Sequence, residues 1–168
     1  MKLKLDLHTH CQEATGYAAA TPQIVEKILD RCVARGLDGI AITEHWSSRY
    51  AYQVLEIKAA HFPDSNVIII PGKEADVGPR QVVELYLPNE TTFRFWCHPE
   101  FWVVDVRPDI RGIEIENGMH HINKERVMEI AADYGLKLLR NSDAHYLEDI
   151  GRYYNEIEWE ELLSLGMP

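Results

Sequence analysis

Cysteine is scarce in this chain and never paired: Cys11, Cys32 and Cys97 are the only three, far apart and in no CxxC spacing. That argues against a disulfide framework and against a thiolate zinc site, so reduced thiols are the default. Long apolar runs are missing too. The stretch 67–70 is typical of the longest, far below the roughly 20 residues a helix needs to span a bilayer, and no membrane association is expected. Positive charge is in deficit, with 17 Lys+Arg against 27 Asp+Glu and a net charge of −10. Such an acidic surface repels nucleic acid and anionic lipid unless a cation is bound locally, so stable nucleic-acid binding is not expected either. The first eight residues alternate polar and apolar and meet charge before any signal-peptide core forms, which makes a cytoplasmic location the expectation. Internal repeats, low-complexity tracts and linkers are also lacking.

What is present is the balance of a packed protein: 168 residues, 46% hydrophobic and 26% charged, enough for one domain over 1–168 with a sizeable core. Residues 2–8 alternate as a strand. Thr21-Pro22 followed by Ile24, Val25, Ile28, Leu29, Cys32 and Val33 supplies an N-cap, a proline at the first helical position and helical spacing, and Gly36 ends the helix. Residues 37–43 (LDGIAIT) form a short apolar strand, so the opening reads as a βαβ unit with a buried parallel sheet. The pattern then predicts a helix over 46–60, a strand over 66–70 ended by Pro71-Gly72, and a strand pair over 81–87 and 92–97 around Pro88-Asn89. A strand over 110–116, a helix over 123–134 closed by Gly135, a strand over 136–140 and a last helical turn over 160–165 complete it. The fold class is α/β. An eight-fold (β/α) barrel typically needs about 250 residues, so any barrel here is abbreviated.

Eight histidines stand at 8, 10, 45, 61, 98, 120, 121 and 145, and most fall where predicted strands end. His8, His45, His98, His120 and His145 each follow a strand, and Glu74 lies just after the 66–70 strand. In parallel α/β architectures those carboxyl ends gather at one face, where ligands bind. His8-Thr9-His10 and Asp143-Ala144-His145 place two ligand types at i, i+2, so each pair points one way on extended backbone and can chelate one ion. A carboxylate has two oxygens and can bridge two cations. Glu74 is the best bridge candidate, with Asp143 and either Glu44 or Glu13 as further acidic groups. A histidine and carboxylate set without thiolate suits zinc, manganese or iron and does not select among them.

Taken in order, Asp6-Leu7-His8-Thr9-His10, Thr43-Glu44-His45, Pro71-Gly72-Lys73-Glu74, Cys97-His98-Pro99, 113–120 (IEIENGMH) and Asn141-Ser142-Asp143-Ala144-His145 form an ordered motif series. The series resembles DLHxH, (T)DH, PG-x-E, HP, IEV-x-N and GSDAH of the PHP family, the polymerase and histidinol phosphatase domain of metal-dependent phosphoesterases. The resemblance runs nearly end to end. It implies a short, distorted (β/α)7-type barrel with two or three divalent ions at its C-terminal face. Carried over by position, it implies a first ion on His8, His10, Glu74 and Asp143, a second on Glu74, His98 and His120, and a third on His45 and His145. Glu74 and Asp143 are then also the catalytic carboxylates. The loop that often gives the third ion an Asp reads Ala14-Thr15-Gly16 here, with Glu13 the nearest substitute, and Glu44 stands for the Asp of (T)DH.

The implied activity is hydrolysis of a small phosphate mono- or diester. Clustered divalent ions lower the pKa of a bound water from about 15.7 toward 7 and neutralise phosphoryl oxygens, which suits that chemistry. Hydrolysis of a C–N or ester bond, or a metal-stabilised non-catalytic interaction domain, are the alternatives. Among the basic residues near the motifs, Lys73, Arg80, Arg94 and Arg140, no substrate contact is assignable; Lys73 points opposite Glu74 by alternation, and Arg80 after Gly78-Pro79 is better placed. Trp46, Trp96 and Trp102 read as core, Cys97 as turned away from its neighbour His98, and Asp6 as a partner orienting a ligand histidine. His61 reads as a helix-end residue, and His120 rather than His121 as the ligand of that pair.

Overall fold

The computed structural model describes residues 1–100 and 105–168; Trp102 lies outside them. β1 (Lys2–Thr9) runs into a one-turn helix, α1 (Cys11–Ala14), and then α2 (Pro22–Ala34). The Thr21 hydroxyl caps α2 by accepting from the Ile24 N–H at 3.3 Å, and Pro22 fills a position whose N–H has no helical partner. β2 (Gly39–Ile42), α3 (Arg49–His61) and β3 (Ile68–Val77) follow, with β1, β2 and β3 parallel. β4 (Arg80–Tyr86) and β5 (Thr92–Trp96) return as an antiparallel meander. β6 (Ile110–Asn117), α4 (Lys124–Tyr134) and β7 (Lys137–Asn141) restore parallel pairing, and β8 (Asn155–Glu158) with α5 (Trp159–Ser164) ends the chain, β8 lying antiparallel to β1.

The eight strands form one sheet in the order β7-β6-β5-β4-β3-β2-β1-β8, which curls into a nearly closed, distorted barrel. Asn155 completes the seam between its edges. Its side-chain amide imitates a peptide unit, accepting from the Arg140 N–H and donating to the Arg140 carbonyl, both at 2.9 Å. At the carboxyl end the seam is backbone to backbone: the Asp143 N–H donates to the His8 carbonyl and the His10 N–H to the Ala144 carbonyl, both at 2.9 Å.

Three apolar clusters fill this frame. Leu5, Leu7, Ala41, Ile70, Val83, Leu85, Phe93, Phe95 and Leu139 pack inside the barrel. Val25, Ile28 and Leu29 of α2 and Ala51 and Val54 of α3 cover Ile40 and Ile42 outside it, and Val127 and Ile130 of α4 meet Ile113. Strand alternation thus sorts β2 cleanly, Ala41 inward and its neighbours outward. None of the described helices is long and apolar enough to cross a membrane.

Several local expectations need correction. β3 does not end at Pro71-Gly72. It pairs with β2 up to Pro71 and with β4 from Gly72 onward, so Pro71 sits where the strand changes partner and its missing N–H costs no ladder bond. Glu74 is therefore inside a strand. α3 starts at Arg49, because Trp46 is held at φ 58°. Trp96 is core, but Trp46 is 70% exposed at the rim of the barrel mouth.

Candidate metal centre

β1 delivers two histidines to the barrel mouth through an irregularity. Leu5 and Leu7 face the interior, and strict alternation would turn His8 and His10 outward. The register against β2 slips between Asp6 and Thr9, and past this bulge the even-numbered side chains take over the inward direction. His8 and His10 are fully buried there, with His8 meeting the edge of Phe95 at 6.4 Å between centroids.

Four atoms converge: His8 Nε2, His10 Nε2, Glu74 Oε2 and Asp143 Oδ1. The two nitrogens are 3.2 Å apart, His8 lies 3.5 and 3.4 Å from the Glu74 and Asp143 oxygens, and His10 lies 3.2 and 3.1 Å from them. Donors held tetrahedrally at about 2.0–2.2 Å from one ion stand about 3.3–3.6 Å apart. Close as these contacts are, Glu74 Oε2 and Asp143 Oδ1 are buried with no hydrogen-bond partner among the described residues. Lone pairs aimed at a common point rather than at a donor fit a divalent cation, whereas a buried oxygen normally finds a hydrogen.

Each carboxylate extends its second oxygen to another group. Glu74 Oε1 meets His98 Nε2 at 2.8 Å, and Asp143 Oδ2 lies 3.9 Å from His98 Nε2 and 3.8 Å from His120 Nε2. Glu74 thus has the reach of a bridge, and Asp143 shares that geometry. On the other side His45 Nδ1 is 3.2 Å from Glu74 Oε2, and Glu13 lies 3.5 Å from His45 Nε2 and 3.8 Å from His145 Nε2. Four ligand groups compact enough for an ion result among the described residues: His8, His10 and Asp143; His98, His120 and Asp143; His10, Glu13, His45 and His145; and His8, Glu74 and His98 together with the Cys97 thiol. All eight side chains singled out in the sequence share one cleft, its floor buried and its rim, at His45, His120 and His145, partly open. His61 and His121 belong to none of these groups.

The ligand atoms are oriented from behind. Glu114, fully buried on β6, accepts from His8 Nδ1 at 3.0 Å, which fixes that proton on Nδ1 and leaves Nε2 free. The His98 N–H and the Asn117 and Asn141 amides also donate to Glu114, at 2.7, 2.9 and 2.8 Å. His145 Nδ1 donates to the Asp143 carbonyl at 2.8 Å, and His120 Nδ1 to Glu100 at 2.9 Å. Asp6 does not orient a histidine ring. Its carboxylate takes the Ser142 N–H and hydroxyl and the Gly151 N–H, bracing the segment that carries Asp143. Glu44 accepts from the Gln12 N–H at 2.8 Å and so steadies α1. Cys97 is not turned away: its Sγ lies 3.5 Å from Glu74 Oε1, because β5 stops at Trp96 and His98 takes φ 25°, which breaks alternation.

The charges interlock. Burial resists ionisation of His8, but Asp143, Glu114 and Glu74 outweigh it and hold the imidazole well above its ordinary range. His10 and His98 are raised in the same way, against burial, by Glu74 with Asp143 or Glu114. Burial acts to raise Glu74 and Asp143, yet the surrounding imidazoles hold both far below the carboxylate range. His45 is lowered by burial and by His10. Burial lifts Glu44 to about 7 and Asp6 to about 6, and it keeps the Cys97 thiol protonated. A proton added to a floor histidine would therefore compete with a cation for the same lone pairs.

The fold that carries this cleft has known relatives. Residues 121–164 match the family model described as PHP-associated. No curated protein matches significantly. Among solved structures, PsfC from Pseudomonas syringae PB-5123 is 17% identical with a TM-score of 0.67, over 89% of this chain and 79% of that one. A candidate metal-dependent phosphoesterase from Bifidobacterium adolescentis is 11% identical with a TM-score of 0.65, over 96% and 94%. An amidohydrolase from Chromobacterium violaceum, with bound sulfate and no metal, is 15% identical with a TM-score of 0.65, over 97% of each chain. The chain therefore carries a PHP-associated segment at residues 121–164 within a distorted barrel fold that it shares, over most of its length, with these three proteins.

Proposed function

We propose that the protein is a metal-dependent hydrolase of small phosphate mono- or diesters, with His8, His10, His45, Glu74, His98, His120, Asp143 and His145 holding two or three divalent ions. The observation that carries the reading is the pair of buried carboxylates, Glu74 and Asp143, each offering one oxygen to the His8–His10 pair and the other toward His98. Zinc, manganese or iron fits these donors. Bound there, such ions supply water that ionises near neutral pH and positive charge against phosphoryl oxygens.

The chain's own residues set the rest. Glu114 holds the His8 proton on Nδ1, and Asn117 donates to Asp143 Oδ2 at 3.1 Å, so the floor is fixed before substrate arrives. The partly open rim admits a ligand from the side of His45, His120 and His145. The Bifidobacterium adolescentis structure is described as that of a candidate metal-dependent phosphoesterase, which supports a phosphate ester as substrate. The Chromobacterium violaceum protein's designation as an amidohydrolase favours, as second reading, hydrolysis of a C–N or ester bond in the same cleft. The test is a panel of phosphate mono- and diesters against amides, lactones and carboxylic esters, with Mn²⁺ or Zn²⁺. Turnover of phosphate esters, lost in Glu74→Gln with the fold intact, is expected; turnover confined to the other panel overturns the phosphoesterase reading. A metal-loaded protein inactive on both panels leaves the interaction domain as the better account.

A further inference from the structure

Beside the metal cleft a cavity of about 210 Å³ opens between the β3–β4 hairpin and His98, with Arg80, Asp76, Gln81, Trp96 and Glu100 in its lining. The hairpin turn, Gly78-Pro79, has Gly78 at φ 63°, the first-position glycine of a two-residue turn, and it sets Arg80 at the start of β4.

Arg80 is only 9% exposed. A buried guanidinium normally has a carboxylate, since an unpaired charge is costly to desolvate. The other basic residues near the motifs are paired: Lys73 with Glu84 at 3.3 Å, Arg94 with Glu84 at 3.0 Å and Arg140 with Glu116 at 3.7 Å. Arg80 has no carboxylate partner among the described residues. One nitrogen donates to the Asp105 carbonyl, the plane lies 5.0 Å from the Trp96 ring, and Nε is buried without a hydrogen-bond partner among the described residues. The two acids of the cavity are engaged elsewhere, Asp76 with Trp46 Nε1 at 3.2 Å and Glu100 with His120.

Resting on the phosphoesterase reading, we propose that this cavity is the anion subsite of the cleft, where Arg80 receives a phosphoryl group of the substrate. Trp96 and the Asp105 carbonyl hold the guanidinium in place at the cavity wall, so a phosphoryl group meets a charge already positioned there. His98 lines the cavity and also belongs to the cluster, so a group seated on Arg80 would border the residues that would hold the ions.

The probe is inorganic phosphate, titrated into the full chain with and without Mn²⁺ and followed by calorimetry and by Trp fluorescence. Arg80→Gln is expected to weaken phosphate about 10- to 100-fold, the loss of a charge-assisted hydrogen bond, and to raise KM more than it lowers kcat. Unchanged phosphate affinity in a folded Arg80→Gln overturns the subsite. Should Arg80→Gln fail to fold, exposed Asp76→Asn carries the test: removing a negative charge from the cavity is expected to tighten phosphate at least threefold, and no tightening overturns the proposal. Phosphate held through Arg80 without turnover of any ester removes the hydrolase reading and leaves the subsite. Ester turnover with KM and phosphate affinity both unchanged in Arg80→Gln does the reverse.

Discussion

Glu114→Gln keeps the shape of the cleft floor and removes one acceptor oxygen from behind His8. Glu114 Oε1 takes the His8 Nδ1 proton and an Asn141 amide proton, and Oε2 takes the His98 N–H and an Asn117 amide proton. Whichever way the new amide is turned, its NH₂ faces two donors. Each buried donor left unpaired costs about 1–3 kcal/mol, so the change costs about 2–6 kcal/mol. Total stability is typically about 5–15 kcal/mol, so the fold survives over most of that range. With the NH₂ toward His8, the ring relieves part of the cost by moving its proton from Nδ1 to Nε2, and that removes the lone pair facing Glu74 and Asp143. Loss of such a supporting group typically weakens metal about 10- to 100-fold, or about 1.4–2.7 kcal/mol. Zinc affinity is read by competition with a chromophoric chelator, with circular dichroism and thermal melts on the metal-free protein. A folded Glu114→Gln that binds zinc as wild type does refutes the claim that this carboxylate sets the His8 tautomer.

Acidity separates the metal-free from the metal-loaded protein. The raised His8, His10 and His98 contribute stability that is complete below about pH 6.5 and is lost as pH rises through their folded values. The depressed Glu74 and Asp143 contribute stability above about pH 4 that is lost only in stronger acid. Metal-free protein is therefore expected to melt highest between about pH 4.5 and 6.5, while zinc, which needs deprotonated imidazoles, adds more at about pH 8 than at about pH 6; a metal-induced shift independent of pH in scanning calorimetry contradicts this. Gly118→Ala would drive a methyl carbon into the Ser142 carbonyl oxygen, beside Asp143, so it is expected to displace that carboxylate and weaken metal at least tenfold; wild-type affinity in the same titration contradicts it. Asn155→Leu strips the seam of its bonds to Arg140, leaving two groups unpaired at about 1–3 kcal/mol each, and a melting temperature within one degree of wild type would show that the amide does not close the barrel.

Elements with local signals could be read from the sequence. Thr21-Pro22 and Asn123 with Gly135 mark α2 and α4, and the structure shows the corresponding caps, including Asn123 accepting from the Arg126 N–H and Gly135 at φ 65°. The candidate site was visible because its ligand types recur at strand ends, and parallel topology gathers strand ends. What depends on irregular backbone was not visible. Glu114 and Glu116 look alike in an alternating strand, but the register of β6 slips between them, leaving Glu114 fully buried and Glu116 paired with Lys124 near the surface. The same cause hid the inward turn of Cys97 and the exposure of Trp46, since positive φ at His98 and Trp46 leaves no mark in residue type. Asp6 misled because its nearest histidine in sequence is His8, whereas its partners, Ser142 and Gly151, come from the far end of the chain.

Anomalous scattering from crystals of the protein loaded with zinc or manganese tests the central claim most directly. The account predicts at least two peaks a few ångströms apart, one within about 2.0–2.2 Å of His8 Nε2, His10 Nε2, Glu74 and Asp143 and another against His98. Peaks confined to surface carboxylates, with the cleft floor empty at saturating metal, would contradict it.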